Sequence, residues 1–179
     1  NTDMLTKVFG STMQGIDAIT ITIETSVELG YSFAIVGLPD AAVKESYERV
    51  QAAVSHTMGS FPHRRIVVNL SPADVRKEGA AFDLPIAIGV LSGAEVFTPV
   101  KPLERYMIMG ELSLDGSLLP IRGVLPTAIL ARSLGLDGLI LPKANATEGA
   151  VVNNLNVYGM SNLGEVIDFL SGKLDVEPT

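Results

Sequence analysis

The sequence KEGAAFDLP at residues 77–85, together with the apolar run that follows it, decides the fold of this chain. Asp83 is expected to open and cap a helix over residues 84–96, whose side chains are apolar nearly all round. A helix that is apolar on every side is buried, whereas an amphipathic one lies at a surface. Gly89 and Gly93 would let neighbouring elements approach its backbone closely. The sequence therefore predicts a central, buried helix.

A second stretch, GELSLDGSLLPIRG at residues 110–123, predicts a β-hairpin. Asp115-Gly116 is its strongest signal, because a two-residue turn of this type needs positive φ. Strands are expected on both sides of the turn, over residues 105–114 and 117–120. The hairpin leads into a helix predicted from about residue 124 to residue 134.

The remaining segments mix strands and helices throughout one α/β domain. The alternating segment TITIETSV is typical of a half-buried strand, whereas the run Ile66-Val67-Val68 predicts burial on both faces of its strand. Asp40 is expected to cap a helix that places Arg49 on its exposed face, and Asn162 to cap a short final helix. Strands are predicted at residues 20–27, 32–36, 65–70, 138–142 and 156–159, and helical segments at residues 40–59, 144–149 and 162–172.

The two opening stretches are similar to the active-site segments of the Lon protease domain. In that family a Gly-Pro-Ser-Ala-Gly turn carries the nucleophile, and a Gly-Glu-x-x-Leu-x-Gly hairpin leads to a helix with the catalytic lysine. The resemblance places the serine's position on Ala81 and the lysine's position on Thr127. Alanine has no heteroatom, and a threonine hydroxyl is no base near neutral pH. We therefore predict a retained fold without peptidase activity; a relocated hydroxyl nucleophile is the least favoured alternative.

Composition limits the other classes of function. The 179 residues include no cysteine, which excludes disulfides and thiolate zinc sites, and no metal site is expected. The longest uncharged apolar run is shorter than a membrane span, and no signal peptide is recognisable, so a cytoplasmic location without a membrane partner is expected. A net charge of −7 disfavours duplex binding by this domain alone. Asn1–Asp3 are expected to precede the native Met4.

Five basic residues are candidate binding residues: Arg64 with Arg65, Arg76 with Lys77, and Arg122. Arg122 stands where the similar protease segment has glycine. An ordinary surface arginine is slightly favoured there; alternatively it faces the vacated groove and binds a peptide terminus, a nucleic-acid phosphate or a neighbouring subunit.

Two acidic residues, Glu111 and Asp83, are expected to be structural. Glu111 lies in an otherwise apolar strand, where a carboxylate must be hydrogen-bonded or exposed at an edge, and we expect it to anchor the loop after Gly79.

Longer segments carry a second resemblance: GLPDAAVKESYERV, NLSPADVRKEGAAFDLPIAIGVL and LILPKAN, which begin at residues 37, 69 and 139. Over residues 4–172 the chain is similar to the N-terminal domain of magnesium-chelatase-like AAA+ ATPases of the YifB/ComM type. The resemblance implies a two-layer α/β sandwich of the ribosomal protein S5 domain 2-like type, as in the Lon proteolytic domain. Residues 173–179 would begin the linker to an ATPase module.

The same resemblance implies a non-catalytic interaction or regulatory domain. Its partners would be its own AAA+ module and the neighbouring subunits of a ring, and the full-length protein would drive DNA branch migration during natural transformation. ATP and magnesium would bind the ATPase module, because this chain has no Gly-x-x-x-x-Gly-Lys-Ser/Thr loop and no cofactor is expected in it. The alternative is a single-strand nucleic-acid platform built from the five basic residues.

Overall fold

The computed structural model describes residues 4–179, so the expectation about Asn1–Asp3 lies outside the described residues. The helices are α1 (Asp40–Met58), α2 (Asp83–Gly93), α3 (Val124–Ser133), α4 (Ala146–Gly149) and α5 (Leu163–Leu170). The strands are β1 (Met4–Gln14), β2 (Asp17–Glu28), β3 (Ser32–Val36), β4 (Arg65–Ser71), β5 (Tyr106–Ile108), β6 (Glu111–Leu112), β7 (Leu118–Leu119), β8 (Gly138–Pro142) and β9 (Val157–Met160).

Seven of these strands form one sheet, in the order β3-β4-β2-β1-β5-β8-β9. The hairpin β1–β2 is antiparallel, and so is the pair β2–β4. The four remaining pairs are parallel. The short strands β6 and β7 form a separate antiparallel pair. The predicted α/β class is therefore confirmed, although sequence analysis missed β1.

The central helix predicted from the first stretch is confirmed as α2. All 11 of its residues are buried, and it packs with α1 and α5 on one face of the sheet. A Cβ on Gly89 would lie 2.4 Å from Thr25 Oγ1, and one on Gly93 would lie 2.8 Å from Val27 Cγ2. The helix backbone therefore rests directly on β2, which requires glycine at both positions.

The opposite face of the sheet is covered over only part of its width. There α3 and α4 pack against Met107, Leu139 and Val157, so the sandwich gains a third layer over β5, β8 and β9. Beyond these helices Val36 is 51% exposed, and Val67 is half-buried while Ile66 is fully buried. The prediction that β4 is buried on both faces is therefore wrong, because the helices do not reach its second face.

Two local predictions also need correction. Asp40 lies in the first turn of α1 and makes no capping hydrogen bond; Pro39 occupies the cap position. The strand expected over residues 105–114 breaks between β5 and β6. Its hairpin loop has three residues, since the Ser113 N–H donates to the Ser117 carbonyl (2.9 Å) and only Gly116 has positive φ (92°).

The last helix and the tail complete the domain. The Asn162 side chain accepts a hydrogen bond from the Glu165 N–H (2.9 Å), which confirms the predicted cap of α5. Residues 173–179 form neither helix nor strand, and the Thr179 N–H donates to the Val157 carbonyl (2.8 Å). The tail therefore lies against β9. Within residues 4–179, no helix combines the length and the apolar character that a membrane crossing requires.

The hairpin loop makes the stability of the domain depend on pH. The Asp115 carboxylate accepts hydrogen bonds from the Ser113 hydroxyl (2.6 Å) and the Ser117 N–H (2.9 Å), which lower its pKa to about 2. Since an unfolded aspartate has a pKa near 4, this contribution to stability is complete above about pH 4 and is lost as the pH falls through 2. We predict that Asp115→Ala lowers Tm at pH 7 and that the difference disappears near pH 2, as measured by circular dichroism. Ser113→Ala should lower Tm by a smaller amount with the same pH dependence. A Tm difference between Asp115→Ala and the unchanged chain that stays constant with pH would contradict the prediction.

Candidate functional site

A cleft of about 170 Å³ lies where the carboxyl end of β5 meets the amino end of α3. Ala81 and Thr127, the positions to which the resemblance assigns the Lon nucleophile and lysine, both line this cleft. They are 46 residues apart in sequence. The structure thus brings together the two positions that the resemblance singles out.

The wall that carries Ala81 is held by backbone hydrogen bonds. Ala81 lies in a single 3-10 turn, Gly79–Phe82, just before α2. Its carbonyl accepts a hydrogen bond from the Gly110 N–H (3.0 Å), and the Gly110 carbonyl accepts one from the Leu84 N–H (3.0 Å). A Cβ on Gly110 would lie 3.0 Å from Leu118 Cδ2, so the crowded bend favours glycine. These contacts join the two stretches from which the fold was predicted.

Thr127 lies in the first turn of α3 and forms a hydroxyl pair with Ser11 of β1. The two side-chain oxygens are 2.7 Å apart, and both residues are 3% exposed. The Ser11 N–H also donates to the Met109 sulfur at 3.3 Å. Sequence analysis missed Ser11 because it missed the strand that carries it. Each hydroxyl thus has the other as its partner.

The loop that leads into α3 is fixed by a buried amide. The Asn145 side chain accepts a hydrogen bond from the Ile121 N–H (2.9 Å) and donates one to the Ile121 carbonyl (3.1 Å), as a neighbouring strand would. The next residue, Arg122, is exposed and lines the cleft, the less favoured of its two predicted locations. Asn145 therefore positions the only arginine of the cleft among the described residues.

The cleft combines two acidic side chains, one arginine and a pair of hydroxyls. Its ionisable lining residues within the described chain are Glu78, Glu111 and Arg122, with no lysine or histidine. A guanidinium stays protonated and cannot serve as a general base. The described residues also include no group of three side chains placed to hold a metal ion. Among the described residues, the Ser11 and Thr127 hydroxyls hydrogen-bond to each other and to no lysine, histidine or carboxylate.

Asp83 supports the cleft from below, but it does not cap α2 as expected. Its carboxylate is fully buried and accepts hydrogen bonds from the Ser46 hydroxyl (2.8 Å), two Arg49 nitrogens (2.6 and 3.2 Å) and the Leu112 N–H (3.2 Å). These bonds join α1, α2 and β6. The prediction that Arg49 lies on the exposed face of α1 is therefore wrong, since its side chain is 20% exposed.

The ion pair keeps Arg49 charged. The hydrogen bond to Asp83 raises the pKa of Arg49 above its ordinary value, despite the opposing effect of burial. Burial raises the pKa of the Asp83 carboxyl, and the hydrogen bonds from Arg49 and Ser46 oppose that rise. The negative charge of Glu111 also helps to raise the pKa of Arg49.

Glu111 does not anchor the loop after Gly79 as expected. Within residues 4–179 its carboxylate makes no hydrogen bond or salt bridge, and the side chain is half-buried at the cleft. Glu111 therefore lies between the positive charge of Arg49 and the cleft, and it interacts with Arg49 through charge rather than through a hydrogen bond.

The other basic candidates do not form one surface. Lys77 is only 6% exposed, its Nζ donates to a carbonyl of its own loop (2.9 Å), and burial lowers its pKa, so it is not a surface cation as expected. Arg65 pairs with Glu28 at 2.6 Å. Arg76 is exposed and lines a different groove, beside Gly37, although its carbonyl accepts a hydrogen bond from the Thr12 hydroxyl of the cleft (3.1 Å). Arg64 lines a third groove, at the amino end of β3.

Comparisons with known proteins agree with this architecture. Residues 23–145 match the family described as subunit ChlI of Mg-chelatase. The competence protein ComM of Haemophilus influenzae is 39% identical over 94% of this chain and 33% of its own length. The uncharacterized protein YifB of Escherichia coli is 37% identical over 91% of this chain and 32% of its own length. The Lon protease of Treponema pallidum is 29% identical over 74% of this chain and 15% of its own length. The chain thus spans about a third of the length of the first two relatives.

The buried ion pair predicts a large loss of stability when one partner is removed. Arg49→Met leaves the Asp83 carboxylate buried without its cation, which typically costs about 3–5 kcal/mol. The double variant Arg49→Met, Asp83→Leu removes both charges and should recover much of that loss. Glu45→Gln, which breaks only the exposed 3.6 Å contact to Arg49, is the control and should change stability by about 0–1 kcal/mol. Urea denaturation measures the free energy of unfolding of all three variants. A loss in Arg49→Met no larger than that in Glu45→Gln would contradict the prediction.

Proposed function

The chain belongs to the family of the ChlI subunit of magnesium chelatase, and from this premise we propose that it is a non-catalytic interaction domain of a longer ATPase. The chain matches about a third of the relatives' length, so ATP hydrolysis would reside in the remaining part. The domain would contribute to ring assembly, to substrate engagement or to regulation of that part.

The observation that carries this proposal is that Ala81 and Thr127, at the positions of the Lon nucleophile and lysine, supply neither a nucleophile nor a lysine base. Ala81 and Thr127 occupy the two positions whose counterparts perform catalysis in Lon proteases, and they face the same space. Thr127 is committed to a hydrogen bond with Ser11 at 2.7 Å. Loss of either group of a catalytic pair typically lowers the rate by about a million-fold, and loss of the second adds little. A cleft with these residues retains its shape and can bind, but it cannot form an acyl-enzyme.

The lining of the cleft suits a segment of polypeptide. Ala81, Met109 and Ile121 provide apolar surface, while Glu78 and Arg122 provide opposite charges at the exposed rim. Such a rim can orient a partner through charge pairs while the apolar surface is covered. We assign this role to a segment of the chain's own ATPase module or of a neighbouring subunit.

The alternative, a single-strand nucleic-acid platform, has less support. Phosphate binding requires clustered cations, but Lys77 is buried and Arg65 pairs with Glu28. Arg122 shares the cleft with two glutamates. The proposals that the whole protein is a cytoplasmic, ring-forming ATPase and that it drives DNA branch migration in natural transformation rest on its resemblance to the competence protein ComM.

The lack of peptidase activity can be tested directly. We predict that the chain is not labelled by a fluorophosphonate serine probe and does not cleave casein, because the Ser11 and Thr127 hydroxyls hydrogen-bond to each other and to no lysine, histidine or carboxylate among the described residues. Labelling is measured by in-gel fluorescence, with trypsin as the positive control. Reproducible labelling that disappears in Ser11→Ala or Thr127→Val would overturn the proposal of a non-catalytic cleft.

The interaction role predicts that altering the cleft impairs assembly of the full-length protein. Arg122→Glu reverses the charge at the rim, and Ala81→Phe fills the cleft. We expect each to raise the concentration for half-maximal ring assembly with ATP about tenfold, equivalent to ~1.4 kcal/mol, as measured by mass photometry. Arg132→Glu makes the same charge change at an exposed position in the last turn of α3 and should assemble normally.

Two measurements separate this effect from loss of structure or function elsewhere. Thermal unfolding should show the same Tm for Arg122→Glu and Arg132→Glu. If both cleft variants assemble and hydrolyse ATP as the unchanged protein does, the cleft is not an interaction site.

A further inference from the structure

The two edges of the main sheet differ in whether another segment of the chain covers them. At one edge the Thr179 N–H donates to the Val157 carbonyl (2.8 Å), so the tail at residues 173–179 lies against β9. At the other edge β3 pairs with β4 alone among the described strands. An open edge exposes a row of unpaired backbone donors and acceptors, which makes it a template for another strand.

The outward-facing groups of β3 can be identified from its register. The Ser32 N–H donates to the Arg64 carbonyl at 3.2 Å, so Ser32 faces β4. Backbone groups alternate along a strand, and Phe33 and Ile35 therefore direct their N–H and C=O groups away from the sheet. The sequence SFAIV contains no charged residue and no proline, the usual features that prevent an edge from pairing.

A groove of about 270 Å³ lies beside this edge, between the start of β3 and α1. Its wall is a column of three aromatic rings. The centroid of the Phe33 ring lies 5.0 Å from that of Tyr47 and 5.2 Å from that of Phe61. Gln51, one turn after Tyr47 on α1, lines the same groove. The groove thus offers a preformed apolar surface on the face of the sheet that an added strand would extend.

The amino end of the groove is basic. His63 and Arg64 line it, and Tyr31, which is 79% exposed, hydrogen-bonds to the His63 ring. Arg65 is already paired with Glu28, whereas Arg64 forms no salt bridge with any described residue. This end therefore complements an acidic side chain or a terminal carboxylate.

We propose that β3 is a docking edge for an extended, acidic peptide segment of a partner protein. The segment adds a strand to β3 through the outward groups of Phe33 and Ile35, inserts an apolar side chain into the groove beside Tyr47, and places an acidic group near Arg64. Strand addition of this kind takes its affinity from backbone hydrogen bonds and its specificity from side-chain pockets. The site is separate from the Ala81 cleft and does not depend on the function proposed for that cleft.

The test selects peptides from a phage library of random decapeptides against the 179-residue chain. We expect enriched peptides that combine β-branched or aromatic residues with aspartate or glutamate. Fluorescence anisotropy of a labelled selected peptide should show at least tenfold weaker binding to Gln51→Trp, which fills the groove, and to Arg64→Glu. Arg132→Glu and the cleft variant Ala81→Phe are matched controls and should bind as the unchanged chain does.

The backbone contacts are tested separately from the side chains. Hydrogen exchange followed by NMR should show slower exchange of the Phe33 and Ile35 amides when peptide is bound, and N-methylation of alternate peptide amides should abolish binding. The proposal is overturned if no peptide is enriched or if the selected peptides protect the cleft instead. It is also overturned if the β3 amides are protected from exchange by self-association of the chain rather than by peptide. The same holds if oligonucleotides, and no peptides, bind at this edge.

Discussion

The buried ion pair between Asp83 and Arg49 is the constraint on which the rest of the structure depends. A fully buried carboxylate is expensive to desolvate, and here donors from α1 and β6 offset that penalty. Because Ser46 and Arg49 belong to α1, Asp83 to α2 and Leu112 to β6, the pair holds these three elements together. It fixes where α2 begins, and with it the turn that carries Ala81.

The shape of the cleft is maintained by hydrogen bonds that do not involve the side chains of Ala81 and Thr127. The Gly110 backbone bonds to the turn on one side, and Asn145 holds the Ile121 backbone on the other. Neither contact changes when the side chain at Ala81 or Thr127 changes. The walls can thus form whatever side chains stand at these two positions, which explains how a chain similar to Lon proteases keeps a formed cleft with alanine and threonine there.

Local patterns predicted the elements whose structure is local. Uniform apolarity predicted the burial of α2, and the side chain of Asn162 predicted the start of α5. The resemblance to Lon proteases also predicted that Ala81 and Thr127 correspond to one site. Sequence analysis did not predict the partner of Arg49, because an i to i+34 contact leaves no periodic signal. It missed β1 as well, since the segment around Ser11 does not alternate clearly between apolar and polar residues.

Helix α1 contacts both the buried ion pair of the core and the surface groove beside β3. Ser46 and Arg49 anchor α1 to Asp83, and Tyr47 and Gln51, on neighbouring positions of the same helix, line the groove beside β3. The buried pair therefore restricts how far α1 can move away from the sheet. A groove with walls that are already fixed requires less ordering when a partner binds, and lower ordering costs leave more of the contact energy as affinity. The ion pair that supports the cleft from below would thus also preorganise the opposite side of α1 for the proposed peptide.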